Sequence, residues 1–62
     1  MHLYTVQIPP TRHMGSYVMR FMCLRREVRR EALADYNDSR AKEGLPPLAR
    51  LPAGATVRRS IP

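Results

Sequence analysis

The N-terminal segment His2 to Ile8 alternates, with Tyr4, Val6 and Ile8 on one parity and Leu3, Thr5 and Gln7 on the other. That period of two is the signature of a half-buried strand, and Pro9-Pro10 stops it. Thr11 to Gly15 follows as a loop. Tyr17 to Cys23 is rich in strand-forming residues and again divides by parity, Tyr17, Met19, Phe21 and Cys23 falling on one face. Paired with the first strand it makes a hairpin.

A second arrangement competes over this segment. Ser16 could cap a helix running to Glu43, with Tyr17, Phe21, Leu24, Val28, Ala32 and Tyr36 at helical spacing. Such a helix would be about 42 Å long at about 1.5 Å per residue, awkward to cover in so short a chain. It would also leave the first strand without a pairing partner. Against the hairpin, a helix starting near Leu24 places Arg25 and Arg26 in its first turn, where the macrodipole disfavours positive charge. The balance favours the hairpin.

Leu24 to Glu43 reads as a helix in either case, with Val28, Ala32, Leu33 and Tyr36 on one side. Arg40 and Lys42 occupy its last turn, Asp38 is placed to pair with Lys42, Gly44 suits a left-handed cap, and Pro46-Pro47 prevents continuation. Leu45, Leu48 and Leu51 in the following Pro-stiffened connector are expected to pack back on the helix. Ala53-Gly54 reads as a turn. Ala55 to Ile61 reads as a short third strand with Val57 inward and Arg58-Arg59 near the surface. The expected architecture is one small α+β domain over residues 1–62: an N-terminal hairpin on one amphipathic helix, with a short C-terminal strand.

Composition adds two constraints. The chain has 62 residues, close to the lower limit for a lone hydrophobic core, so stability should be modest. Its formal net charge is +6, a field that attracts phosphate, anionic membrane surfaces or acidic protein patches without choosing among them. Lys42 is the only lysine beside ten arginines. That bias suits bidentate gripping of phosphate and carboxylate, and equally a G+C-rich coding sequence.

Catalysis finds little support. His2 and His13 stand in no metal-binding pattern, and Cys23 has no second thiol to complete a metal site or a disulfide. Nothing places Cys23 beside His13 as a nucleophile and base, and a buried, inert thiol is the expectation. Glu27, Glu31, Asp35, Asp38 and Glu43 are scattered among basic residues and read as a solvated face. Neither a catalytic group, a metal nor a cofactor is expected. Met14, Met19, Met22 and Phe21 are read as core filling. Tyr36-Asn37 could contact a partner, although Tyr36 also lies on the apolar stripe.

What remains is R-R-E-V-R-R. Arg25, Arg26, Arg29 and Arg30 fall along one flank of a helix, their mutual repulsion relieved by Glu27 and Glu31 or by an anion from outside. The alternative is an ordinary charged surface whose Arg stems cover core edges. Arg58 and Arg59, with Arg12 and Arg50, would enlarge a basic face if the fold gathers them. The expected role is a non-enzymatic regulatory binding protein whose partner is nucleic acid or an acidic protein surface, with Arg25, Arg26, Arg29, Arg30, Arg58 and Arg59 as contacts.

Two other roles fit the same residues: a phage or mobile-element effector inhibiting a host machine, and a structural subunit of a ribonucleoprotein or organellar complex. No apolar run approaches membrane-span length, and the lone cysteine suits a reducing, cytoplasmic setting. The acid-poor, Arg-bearing N-terminus leaves organelle import as a lesser alternative.

Overall fold

Tyr4, Val6 and Ile8 are buried to within 2% of full exclusion, while their odd-numbered neighbours Leu3 and Gln7 stay exposed. The alternation in the sequence is therefore a strand with one wet face and one dry one. In the computed structural model, which describes residues 1–60, this strand is β1 (His2–Ile8). It pairs antiparallel with β2 (Tyr17–Cys23), from His2 opposite Cys23 to Ile8 opposite Tyr17. The hairpin, not the long helix, is what forms.

A single 3-10 turn, Arg25–Glu27, leads into α1 (Val28–Lys42). Val28, Ala32, Tyr36 and Arg40 recur every fourth residue and are the buried positions of α1. Val28, Ala32 and Tyr36 form one core with Tyr4, Val6, Ile8, Met19 and Cys23 on the dry face of the hairpin. Across this contact Tyr17 stacks edge-on against Tyr36, with centroids 5.4 Å apart, and its hydroxyl shares a hydrogen bond with the Ser39 hydroxyl. Met19 belongs to this core, Met14 and Phe21 pack against it, and Met22 instead faces outward.

The helix stops where the sequence says it should. Gly44 takes φ 74°, the Gly44 amide donates to the Ala41 carbonyl, and the Leu45 amide donates to that of Arg40. These two bonds form a Schellman cap that satisfies carbonyls the helix would otherwise leave open. Arg40 is not a solvated last-turn charge: it is buried, and its Nε donates to the Pro46 carbonyl at 2.8 Å. Asp38 forms no ion pair with Lys42; among the described residues the one ion pair is Arg30 with Glu27.

Leu48 and Leu51 return to pack against the core, and the chain turns at Gly54 into β3 (Thr56–Arg59). Ile61, the expected end of this strand, lies outside the described residues. β3 pairs antiparallel with β1, from Tyr4 opposite Arg59 to Gln7 opposite Thr56. The sheet order is β2-β1-β3, so the first strand is central. The result is an α+β fold with one three-stranded sheet and its helix on one face.

Candidate nucleic-acid interface

Parity and register decide where each arginine goes. Arg25 and Arg26 sit on the 3-10 turn, at the end of the sheet where β2 finishes. Arg29 follows one turn later on α1. These three side chains, with Val28 and Val57, line a crevice of about 250 Å³ between the start of α1 and β3. Val57 is half-buried and packs on the core, as its inward placement requires. Arg59 is the next residue of β3 on the same face, exposed and toward the end of the sheet where α1 begins.

Arg29 also lines a second crevice, of about 350 Å³, with Arg30, Leu33, Ala49, Arg50 and Leu51. Arg29 thus borders both clefts and links Arg25 and Arg26 to Arg30 and Arg50 in one band. Within it Glu27 accepts a bond from Arg30 at 3.2 Å, an exposed pair of small energetic weight. Among the described residues Arg25, Arg26, Arg29 and Arg50 form no salt bridge with a carboxylate.

The start of α1 sharpens this imbalance. No side chain among the described residues caps the 3-10 turn, and although its turn bonds engage the Glu27 and Val28 amides with the Leu24 and Arg25 carbonyls, the positive end of the helix lies beside three guanidinium groups. Such crowding of like charge is unfavourable in isolation and is relieved by a bound anion.

Two of the arginines expected in a shared basic face lie elsewhere. Arg58 is opposite Thr5 on the uncovered face of the sheet, because adjacent strand residues point to opposite sides. Arg12 is exposed in the hairpin loop, next to the Ile8–Tyr17 end of the sheet, whereas Arg25 and Arg26 follow the Cys23 end. Arg50 is the gain. The spacing of Leu48 and Leu51 already implied a connector folded back on the helix, but not which stretch of helix Arg50 would meet.

The remaining chemistry-bearing residues gather no site. Cys23 is a free, buried thiol whose pKa is raised, first by burial and then by the negative charges of Glu27 and Glu31. Asn37 is engaged internally by the Leu48 backbone, and Tyr36 is wholly buried, so neither presents itself to a partner. Among the described residues no group of three or more His, Cys, Asp or Glu side chains is placed to hold a metal ion. None of the described helices is long and apolar enough to cross a membrane.

In comparisons with known proteins, no family model, no curated protein and no solved structure matches the chain. The functional reading rests on the arginine band and its surroundings.

Proposed function

We propose that the chain is a small, non-enzymatic binding module that grips the phosphates of nucleic acid along Arg25, Arg26, Arg29, Arg30 and Arg50, with Arg59 at the border. The observation that carries this reading is the position of Arg29, which lines both crevices and makes one band of two clusters. Guanidinium forks hold phosphate oxygens bidentately, and a band supplies successive contacts along a backbone. No aromatic side chain lines either crevice, so base stacking contributes nothing here and binding is led by phosphate neutralisation. Regulation then follows from occupancy: a bound module covers nucleic acid against other proteins.

The test is fluorescence anisotropy with random duplex DNA and with single-stranded RNA over a salt series. Neutralising three to five phosphates corresponds to a log–log salt slope of roughly −3 to −4.5 on duplex DNA. The double charge reversal Arg26→Glu, Arg29→Glu should flatten that slope by roughly 2 and abolish binding at physiological salt. Undiminished affinity in the double variant, or no binding by the parent chain at low salt, would overturn the assignment.

A further inference from the structure

The face of the sheet turned away from α1 carries a second, separate surface. Leu3, Thr5 and Gln7 of β1 lie on it, flanked by Val18, Arg20 and Met22 of β2 and by Thr56 and Arg58 of β3. Its apolar side chains are open: Val18 is 55% exposed, Met22 63% and Leu3 36%. Leu3 stands directly opposite Met22, so these apolar side chains are neighbours across the ladder. Thr5, at the centre, has Arg20 as its partner on one side and Arg58 on the other. Two strand spacings separate these arginines, roughly 10 Å. The Asp and Glu side chains all lie between Glu27 and Glu43, on the 3-10 turn and α1 or just past its end, so among the described residues this face carries no carboxylate.

We infer that this open face is a docking site for an acidic amphipathic helix of a partner protein. An exposed aliphatic patch asks for apolar side chains, and flexible methionine adapts to them. Arg20, between Val18 and Met22 on β2, and Arg58, across β1 on β3, ask for carboxylates beside those apolar side chains. A helix lying over β1 and β2 is about 10 Å across, so its apolar stripe meets Leu3, Val18 and Met22 while carboxylates beside that stripe reach Arg20 and Arg58.

Charge excludes a second copy as the occupant. Two such faces pressed together would bring two Arg20 and two Arg58 side chains into a desolvated layer with no compensating carboxylate. Chemistry disfavours nucleic acid, since exposed aliphatic side chains surround Arg20 and Arg58 and offer nothing to a phosphate backbone. The inference is independent of the phosphate-binding band, which lies at the α1–β3 side of the molecule, and each stands or falls alone.

The test uses a display library of helical peptides, each about 20 residues long, with a Leu/Ile/Phe stripe at helical spacing. One pool has flanks drawn from Asp, Glu, Ser and Gln, the other from Lys, Arg, Ser and Gln. Both are selected against the full chain, and the best peptide is mapped by chemical-shift perturbation. The expected result is enrichment of the acidic pool, with shifts at Leu3, Thr5, Val18, Arg20, Met22 and Arg58. The double variant Arg20→Glu, Arg58→Glu should then lose affinity for the peptide by about tenfold or more, and Arg26→Glu, Arg29→Glu by no more than about twofold.

Shift mapping on the parent chain needs no variant and keeps the test valid should a substitution disturb folding. Enrichment of the basic pool, of neither pool, or shifts confined to Arg25, Arg26 and Arg29 would overturn the inference. So would DNA binding that perturbs Arg20 and Arg58, which would make the face part of a nucleic-acid site. A parent dimer dissociated by Val18→Glu, Met22→Glu would assign the face to a second copy and overturn it too.

Discussion

Asn37 clamps Leu48: its Nδ2 donates to the Leu48 carbonyl at 3.1 Å and its Oδ1 accepts from the Leu48 amide at 2.9 Å. One side-chain amide thereby satisfies both polar groups of a connector residue that has no sheet or helix of its own. Removing it leaves a part-buried donor and acceptor without partners, at a cost of about 1–3 kcal/mol. Asn37→Ala should therefore lower the thermal midpoint by several degrees, on the scale of about 4–8 °C per kcal/mol for a domain this small. Asn37→Asp keeps the acceptor and loses the donor, and should fall in between. Thermal melts followed by circular dichroism decide it, and an unchanged midpoint in Asn37→Ala would mean that the clamp contributes nothing.

Tyr36 makes the opposite case. Its ring is wholly buried against Tyr17, yet its hydroxyl is buried without a hydrogen-bond partner among the described residues. Taking away an unsatisfied buried hydroxyl removes a desolvation cost, so Tyr36→Phe should be neutral or stabilising. Tyr36→Ala empties the centre of the core and should cost about 3–5 kcal/mol, enough to unfold so small a chain. Urea titration separates the two, and a Phe variant weaker by more than about 1 kcal/mol would reveal a partner for the hydroxyl.

The raised pKa of Cys23 gives stability a sign with respect to pH. Burial and the neighbouring Glu27 and Glu31 favour the neutral thiol in the folded chain. The folded value lies above the unfolded one, so the unfolded chain releases its proton first as pH rises. The contribution is complete below the ordinary thiol value and is lost as pH climbs from it through the higher folded value. As pH rises past the ordinary thiol value, stability of the parent chain should fall more steeply than that of Cys23→Ala. Alkylation by iodoacetamide should also be slow until the chain unfolds; prompt modification at pH 8 of the folded protein would contradict this account.

Gly54 and Gly44 both adopt positive φ, 88° and 74°, but their surroundings differ. A Cβ at Gly44 meets open space, whereas one at Gly54 would come within 3.0 Å of the Pro9 ring. Gly44→Ala should therefore cost about 1 kcal/mol from backbone strain alone. Gly54→Ala adds a clash where the turn into β3 passes the end of β1, and should be the more damaging of the two. Equal losses in urea titrations would show that Pro9 yields freely.

The nucleic-acid and docking readings separate cleanly by variant. Arg58 is next to Arg59 in sequence but faces the opposite side of the sheet. Arg20→Glu, Arg58→Glu should leave the salt slope for duplex DNA within roughly 0.5 of the parent, in contrast to Arg26→Glu, Arg29→Glu. A matching loss in both doubles would mean one diffuse basic surface instead of two distinct ones.

By itself the sequence determined what depends on near neighbours. The parity of Tyr4, Val6 and Ile8 defined a strand and its buried face. The recurrence of Val28, Ala32 and Tyr36 defined a helix stripe, and Gly44 with Pro46-Pro47 defined its end. The run Arg25 to Arg30 was visible as a charge cluster for the same reason. Tertiary structure decided everything that depends on which distant segments meet. Insertion of β1 between β2 and β3 put Arg20 and Arg58 on either side of Thr5 and turned Arg58 away from Arg59's face. Docking of the connector on α1 brought Arg50 to Arg29 and spent the Asn37 amide on Leu48. Side-chain direction along one element follows from local backbone geometry, whereas the identity of a strand's neighbours is fixed only when long-range pairing and burial are satisfied together.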